Sequence, residues 1–367
     1  MSAHSDIVDG GYFVDSDDEF EVEEVSENPL RYLEGLYYPI GIGEILANQY
    51  QIEHKLGHGG FSTIYMAYDI LGKKDVMLKI MTPKESNEHE HKMQTETARD
   101  VQDASHLILY EKTFLLRGSH RNHRVLVLPV QGPNLWDHLR QKPVTIRMSA
   151  AKQLLQAISH LHDSGIVHRD LSSAKVMYSL RPINNISVAE KYHHIGRPKK
   201  VRLDPDLWKA GELVMPMKVH ESLIGDDVSL GDFGLAIKPG NQVSQKLQSP
   251  AIYCAPERVP TFATDMWSYM LSCMVHALGS VPATWKGTFK AGGVDNDWWY
   301  DQGYELDSTA SLKAKVPRLR SDIDAVERDL VLSVLRKGLS YQPQDRLTAR
   351  QLLEDASFKA LMEIYGV

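Results

Sequence analysis

Apolar residues recur with two different periods along this chain. From Tyr38 to Gly132 they fall in short runs of strand-forming residues, and from Ser149 onward they return at helical spacing. Tyr50-Gln51-Ile52 and Ser62-Thr63-Ile64-Tyr65 lie either side of Leu56-Gly57-His58-Gly59-Gly60, which predicts a β-hairpin around a glycine-rich turn. Val76-Met77-Leu78-Lys79-Ile80 predicts a strand with one charge in an apolar run. Asn87 to Arg99 reads as a helix, and Arg124 to Gly132 as a buried strand leading into a linker. Ser149 to Asp163 is an amphipathic helix, followed by the β-like pair Ile166-Val167. Asp265-Met266-Trp267-Ser268 starts another helix, and Pro343 to Ala349 opens the last. The fold class is therefore α+β, β-rich first and mainly helical afterwards.

Composition narrows this picture. The 367 residues suffice for one large two-lobed body or two ordinary domains, and 43% apolar content suits a folded globular protein. Two cysteines, Cys254 and Cys273, exclude a disulfide scaffold and suit a reducing compartment. The first residues are acidic and lack the apolar centre of a signal sequence. Met266 to Pro282, the most apolar long stretch, contains Ser268, Ser272 and His276 and is short for a membrane span, so a buried core helix is expected. The expected location is cytoplasmic, nuclear or both. Residues 1–30 carry ten acidic groups and no Lys or Arg, so removing them from the net charge of −7 leaves a body at +3. Such a run predicts a disordered acidic leader.

Candidate chemistry lies at four points. Gly57 and Gly59 would let backbone N–H groups approach phosphate oxygens without a side chain between. No Gly-Lys-Ser/Thr follows, which excludes a P-loop NTPase. Lys79 follows the turn by about one strand and a connection. His168-Arg169-Asp170-Leu171 comes just after the amphipathic helix, and Leu230-Gly231-Asp232-Phe233-Gly234 stands 62 residues beyond Asp170. Taken alone, Asp-Phe-Gly is a plain turn with glycine at a positive φ. Between them, Arg197-Pro198-Lys199-Lys200-Val201-Arg202 reads as a basic, solvated insertion.

With Ala255-Pro256-Glu257, Asp265-x-Trp267 and Arg346, these elements form an ordered series over about 300 residues that resembles the eukaryotic protein-kinase superfamily. Tyr38-Pro39 to Gly43, Tyr50, Leu56 to Thr63, Tyr65 and the interrupted segment before Asp232 are similar to the SR-protein kinase family, particularly its divergent fungal members. The resemblance implies an N-lobe over 31–130 and a C-lobe over 131–367 with an insertion at about 178–229. It implies ATP with Mg²⁺ and transfer of the γ-phosphate to serine or threonine. Asp170, with Arg169 and Lys79, would be catalytic. Leu56, Gly57, Gly59, Ile64, Lys79, Glu90, Leu128 and Val130 would hold the nucleotide, and Asp232 the metal. Glu90 is chosen over Glu88 because Met93 stands at i+3 to face the core. Arg346 would pair with Glu257. Ser244, Ser249 and Tyr253 lie in the activation segment without a mark of modification.

The chain also departs from that pattern. Ser62 stands for the third glycine, Ser172 for a phosphate-contacting lysine, and Met270 for a frequent glycine. Lys175 occupies the position of a metal-binding asparagine, and an ammonium has donors but no acceptor. Impaired phosphotransfer is one expectation. The rival is a pseudokinase that acts as a nucleotide- or partner-binding scaffold. The expected partner is a protein bearing Ser or Thr, basic in character, with neither membrane nor nucleic acid. Carrying over arginine-serine substrates would require an acidic groove, which a body at +3 does not suggest.

Overall fold

The computed structural model describes residues 11–15, 19–83, 85–138, 141–184, 186–239, 255, 260–270, 312–340 and 342–367. The chain divides into two compact units. One contains residues 1–95, 108–133 and 177–226, and the other 96–107, 134–176 and 227–367.

The first unit is built on an antiparallel six-stranded sheet. In chain order its strands are β2 (Ile45–Leu46), β3 (Tyr50–Gly59), β4 (Ser62–Asp69), β5 (Lys74–Met81), β6 (Lys112–Arg117) and β7 (Asn122–Pro129), arranged β2-β3-β4-β5-β7-β6. The hairpin read from the glycine-rich turn is the β3–β4 pair, with Gly59 opposite Ser62. Both faces are covered. Val76, Leu78, Ile80, Val125 and Val127 enter one cluster, whereas Met77, Met81, Leu126 and Leu128 enter another. Period-two alternation with two apolar faces explains why Val125 to Leu128 is uninterrupted hydrophobic sequence.

Two expectations are corrected here. Within the acidic leader, expected to be disordered, β1 (Tyr12–Phe13) and α1 (Glu19–Val25) are formed, and α2 (Leu30–Leu33) begins at its end. Strand β1 pairs in parallel with β10 (Lys199–Arg202), which pairs antiparallel with β11 (Glu212–Val214). Val22, Tyr32 and Tyr37 are buried with Leu203 and Leu213. The insertion, expected as a solvated part of the C-lobe, packs instead within the first unit. Its helix α6 (Val188–Ile195) starts with a Ser187–Glu190 capping box. Ile183, Ile195 and Leu223 pack against Met66 of β4. Charge hid this: Glu27 of the leader is buried because Lys55 of β3 neutralises it, and Tyr32 donates its hydroxyl to the same carboxylate. Lys191 of α6 is likewise buried, 2.8 Å from Glu53 and 2.5 Å from Asp75.

The second unit is mainly helical. Its long helix α5 (Val144–Asp163) begins five residues earlier than the apolar pattern predicts, directly after Pro143. Val144 to Met148 are half-buried or exposed, so the first turn shows little periodicity, while Leu155, Ile158 and Leu161 are fully buried. Helix α7 (Phe262–Met270) starts three residues before the expected Asp265 and buries Trp267. Its continuation to Pro282, and Cys254 and Cys273, lie outside the described residues. Near the end, helices at Ala325–Gly338, Ala349–Glu354 and Ala356–Ile364 each start at a side-chain cap, from Asp324, Thr348 and Asp355. Among the described residues no helix is long and apolar enough to cross a membrane.

Candidate active site

In the first unit, Lys79 of β5 lies opposite Ile64 of β4 and Leu126 of β7. Its neighbours Leu78 and Ile80 belong to the other face, so alternation places Lys79 on the side of Met77 and Met81. Leu56, Ile64 and Leu128 share that cluster. The Lys79 ammonium donates to both oxygens of Glu90, at 2.7 and 2.8 Å. Glu90 is 3% exposed and Met93 is 2% exposed, as the i+3 spacing on α3 (Glu85–Asp100) requires. Glu88 turns instead to Arg124, 2.9 and 2.8 Å away.

Sequence reasoning missed Gln94. It donates to Glu90 at 3.0 Å and accepts from the Tyr110 amide at 2.9 Å, fixing the carboxylate that orients Lys79. Its i+4 spacing from Glu90 was the available signal. Gly57 and Gly59 have ordinary negative-side backbone and no atom within 4 Å of an added Cβ. Among the described residues neither strain nor internal packing requires glycine there. Val130 is not gathered with the others. It lines a separate cleft of about 170 Å³ with Lys74, Glu111 and Arg181.

In the second unit, Asp265 at the start of α7 accepts the amides of His168 and Arg169 at 2.7 and 2.8 Å. This holds Arg169 at φ 70°, a left-handed conformation that costs a non-glycine residue about 1–3 kcal/mol. Asp170 follows directly. The fully buried His168 ring donates from Nε2 to the Gly231 carbonyl at 3.1 Å and accepts the Asp170 amide at Nδ1, 3.3 Å. A hydrogen on Nε2 alone satisfies both bonds, so this ring ties the His-Arg-Asp segment to Asp-Phe-Gly. Phe233 is buried with its ring 5.3 Å from that of His168. The plain-turn expectation for Asp-Phe-Gly is corrected: the left-handed residue is Asp232, at φ 66°, and not Gly234. Arg169 donates to the Leu235 carbonyl at 3.1 Å, and burial lowers its guanidinium from the usual range.

Lys175 decides the electrostatics. It ends a 3-10 turn, Ser173–Lys175, with its ammonium ion-paired to Asp232 and 3.7 Å from Asp170. Two carboxylates and one ammonium sum to −1 where an asparagine would leave −2. The Asp232 side chain has the oxygen donors that Mg²⁺ takes and would be the residue to hold one ion arriving with phosphates, the usual mode for this ion. A second Mg²⁺ at the position of Lys175 does not fit, because an ammonium offers it no lone pair. Among the described residues no cluster of three or more His, Cys, Asp or Glu forms a ready metal cage.

The expected Arg346–Glu257 pair cannot be placed, since Pro256, Glu257, Ser244, Ser249 and Tyr253 lie outside the described residues. Arg346 itself donates to the carbonyls of Ser340 and Ala263 and lies 4.7 Å over the Trp267 ring.

A β-sheet lysine clasped by a helical glutamate, and a buried His-Arg-Asp segment tied to Asp-Phe-Gly, are features of one class of phosphotransferase. The chain belongs to the protein kinase family, whose domain matches residues 50–358. Within that family it resembles SR-protein kinases. The serine/threonine-protein kinase SRPK of Physarum polycephalum is 32% identical over 299 residues, covering 72% of this chain and 68% of that protein. Protein kinase dsk1 of Schizosaccharomyces pombe is 34% identical over 174 residues, covering 43% of this chain and 31% of its own length. For SRSF protein kinase 3 of Homo sapiens the match is 29% over 175 residues, with coverages of 42% and 30%. The match thus spans less than a third of dsk1 and of the human kinase. Among solved structures, the kinase domain of PF14_0431 covers 89% of this chain and 99% of its own, with a TM-score of 0.59 at 15% identity. The fold is the α+β kinase fold, with a β-rich and a helical lobe.

Proposed function

We propose that the chain is a serine/threonine protein kinase of low turnover. The observation that carries this reading is the Lys79–Glu90 pair, two-pronged and largely buried, on the face that also bears Leu56, Ile64 and Leu128. A lysine so held is poised for the α- and β-phosphates of ATP. Asp170 accepts the proton of the substrate hydroxyl as its oxygen bonds to the γ-phosphorus and the bond to the β-phosphate oxygen breaks, releasing ADP. Bound Mg²⁺ supplies neutralisation of the phosphate charge, and Asp232 is the residue that would hold it. Lys175 supplies one positive charge where a second ion would bring two. Turnover below the range of about 1–100 per second follows. The substrate is a protein hydroxyl, and the family names of the relatives fit a protein substrate.

The Lys175–Asp232 ion pair favours a second reading, a pseudokinase that binds nucleotide or a partner. Phosphate transfer from ATP to a basic serine peptide library separates the two. Transfer by the native chain that vanishes in Asp170→Ala supports the kinase. No transfer by the native chain, with recovery in Lys175→Asn, supports the pseudokinase.

A further inference from the structure

The end of the leader and the residues just after it do more than pack. Three groups within residues 25–37 reach three consecutive residues of the glycine-rich turn. The Val25 carbonyl accepts from the His58 ring at 3.2 Å, the Tyr37 hydroxyl donates to the Gly59 carbonyl at 2.8 Å, and Arg31 donates to the Gly60 carbonyl at 3.0 Å. The donors are themselves fixed. Arg31 stacks 4.8 Å over the Tyr37 ring, and the Leu36 and Tyr37 amides return to the Arg31 carbonyl. Tyr32 packs edge-on to Tyr37 at 5.5 Å and donates to Glu27, which is anchored on the buried Lys55.

This geometry bears on direction. A trans peptide is planar, so its N–H points opposite to its C=O, and the structure contains no cis peptide among the described residues. Fixing the Gly59 and Gly60 carbonyls toward residues 25–37 therefore fixes the Gly60 and Phe61 amides away from them. Backbone amides of a glycine-rich turn are donors suited to phosphate oxygens. Gly59 and Gly60 have open space where a side chain would stand, and Gly59 is also paired with Ser62 in the β3–β4 ladder.

We propose that residues 25–37 form an intrachain strap in which Tyr37 and Arg31 are positioning residues for nucleotide binding. They act through the Gly59 and Gly60 carbonyls and need not touch the nucleotide. The proposal rests on the kinase reading and adds a segment outside the matched domain to its nucleotide site.

The test compares the full chain with Tyr37→Phe, Arg31→Ala, Arg31→Lys and, as a control on the same segment, the exposed Leu30→Ala. Calorimetry with a non-hydrolysable ATP analogue gives Kd, and hydrogen exchange reads residues 56–62. Loss of one neutral hydrogen bond should raise Kd about 5-fold in Tyr37→Phe, and loss of the charged donor about tenfold in Arg31→Ala. Loop exchange should quicken in both, with part of the effect reversed in Arg31→Lys and none in Leu30→Ala. Peptide KM should stay constant. A merely structural role would lower Tm with Kd and loop exchange unchanged, and would overturn the proposal. A native chain that binds no nucleotide overturns the kinase reading and this role together, whereas native binding kept at the same Kd in both variants overturns the strap alone.

Discussion

Four lysines in this protein each grip carboxylates, and they sort by burial. Lys55 and Lys191, which pin the leader and the insertion, have side chains 0% and 2% exposed. Lys79 and Lys175, among the candidate chemical groups, are 11% and 29% exposed. The first two neutralise charges that have no access to water and hold together sequence-distant segments. The second two retain some exposure, which phosphate or metal would need in order to compete for them. A lysine–carboxylate pair is therefore structural or chemical according to what else can reach it.

That comparison can be broken in order of effect. Lys191→Met leaves Glu53 and Asp75 buried without a cation, and burial already raises both carboxyls. Denaturant melts should show a loss of about 3–5 kcal/mol. Lys79→Met also strips the cation from a buried carboxylate, Glu90, so its melt should fall too, but here phosphotransfer should drop about 10²–10³-fold in a steady-state assay. A large melting loss in Lys79→Met with little change in rate would erase the distinction.

Protons test the buried side again. Burial lowers His54, beside Lys55, to about 4 from its usual 6.5. With its folded value depressed, the folded state binds fewer protons than the unfolded chain between these values. The stability due to neutral His54 is present above pH 6.5 and is lost as pH falls toward 4. Between pH 6.5 and 5 the loss is about 2 kcal/mol. His54→Gln should flatten that limb in melts run at both pH values; an unchanged acid limb would count against a neutral buried ring. The smallest effect belongs to Lys175→Asn, which restores a neutral ligand beside Asp232. It should raise phosphotransfer about tenfold and lower the Mg²⁺ concentration for half-maximal rate, measured by metal titration. A drop in both rate and metal affinity would show that the ammonium itself is needed.

How far the sequence could be read follows from the range of the interactions. The β3–β4 hairpin, Lys79 on its strand and the choice of Glu90 over Glu88 rest on spacings of a few residues, and all were legible. The folded leader was not, because Val22 stands among ten acidic residues and the partner that admits Glu27 is 28 positions away. The β1–β10 pairing joins residues nearly 190 apart and leaves no local trace. Backbone strain at Arg169 and Asp232 is equally silent, since it is imposed by the Asp265 bonds and the surrounding turns.

The threading of the first unit has a consequence for synthesis. Its sheet is encoded by residue 133, yet the unit closes only with residues 177–226, which cover Val22, Tyr32 and Met66. At translation rates of about 5–20 residues per second, the last stretch appears roughly 5–20 s after the sheet. During that interval the nascent lobe exposes apolar surface and the charges of Glu53 and Asp75 without their lysine. A slow stretch of message or a bound chaperone at this point would decide the yield of folded protein more than any change in the finished lobe.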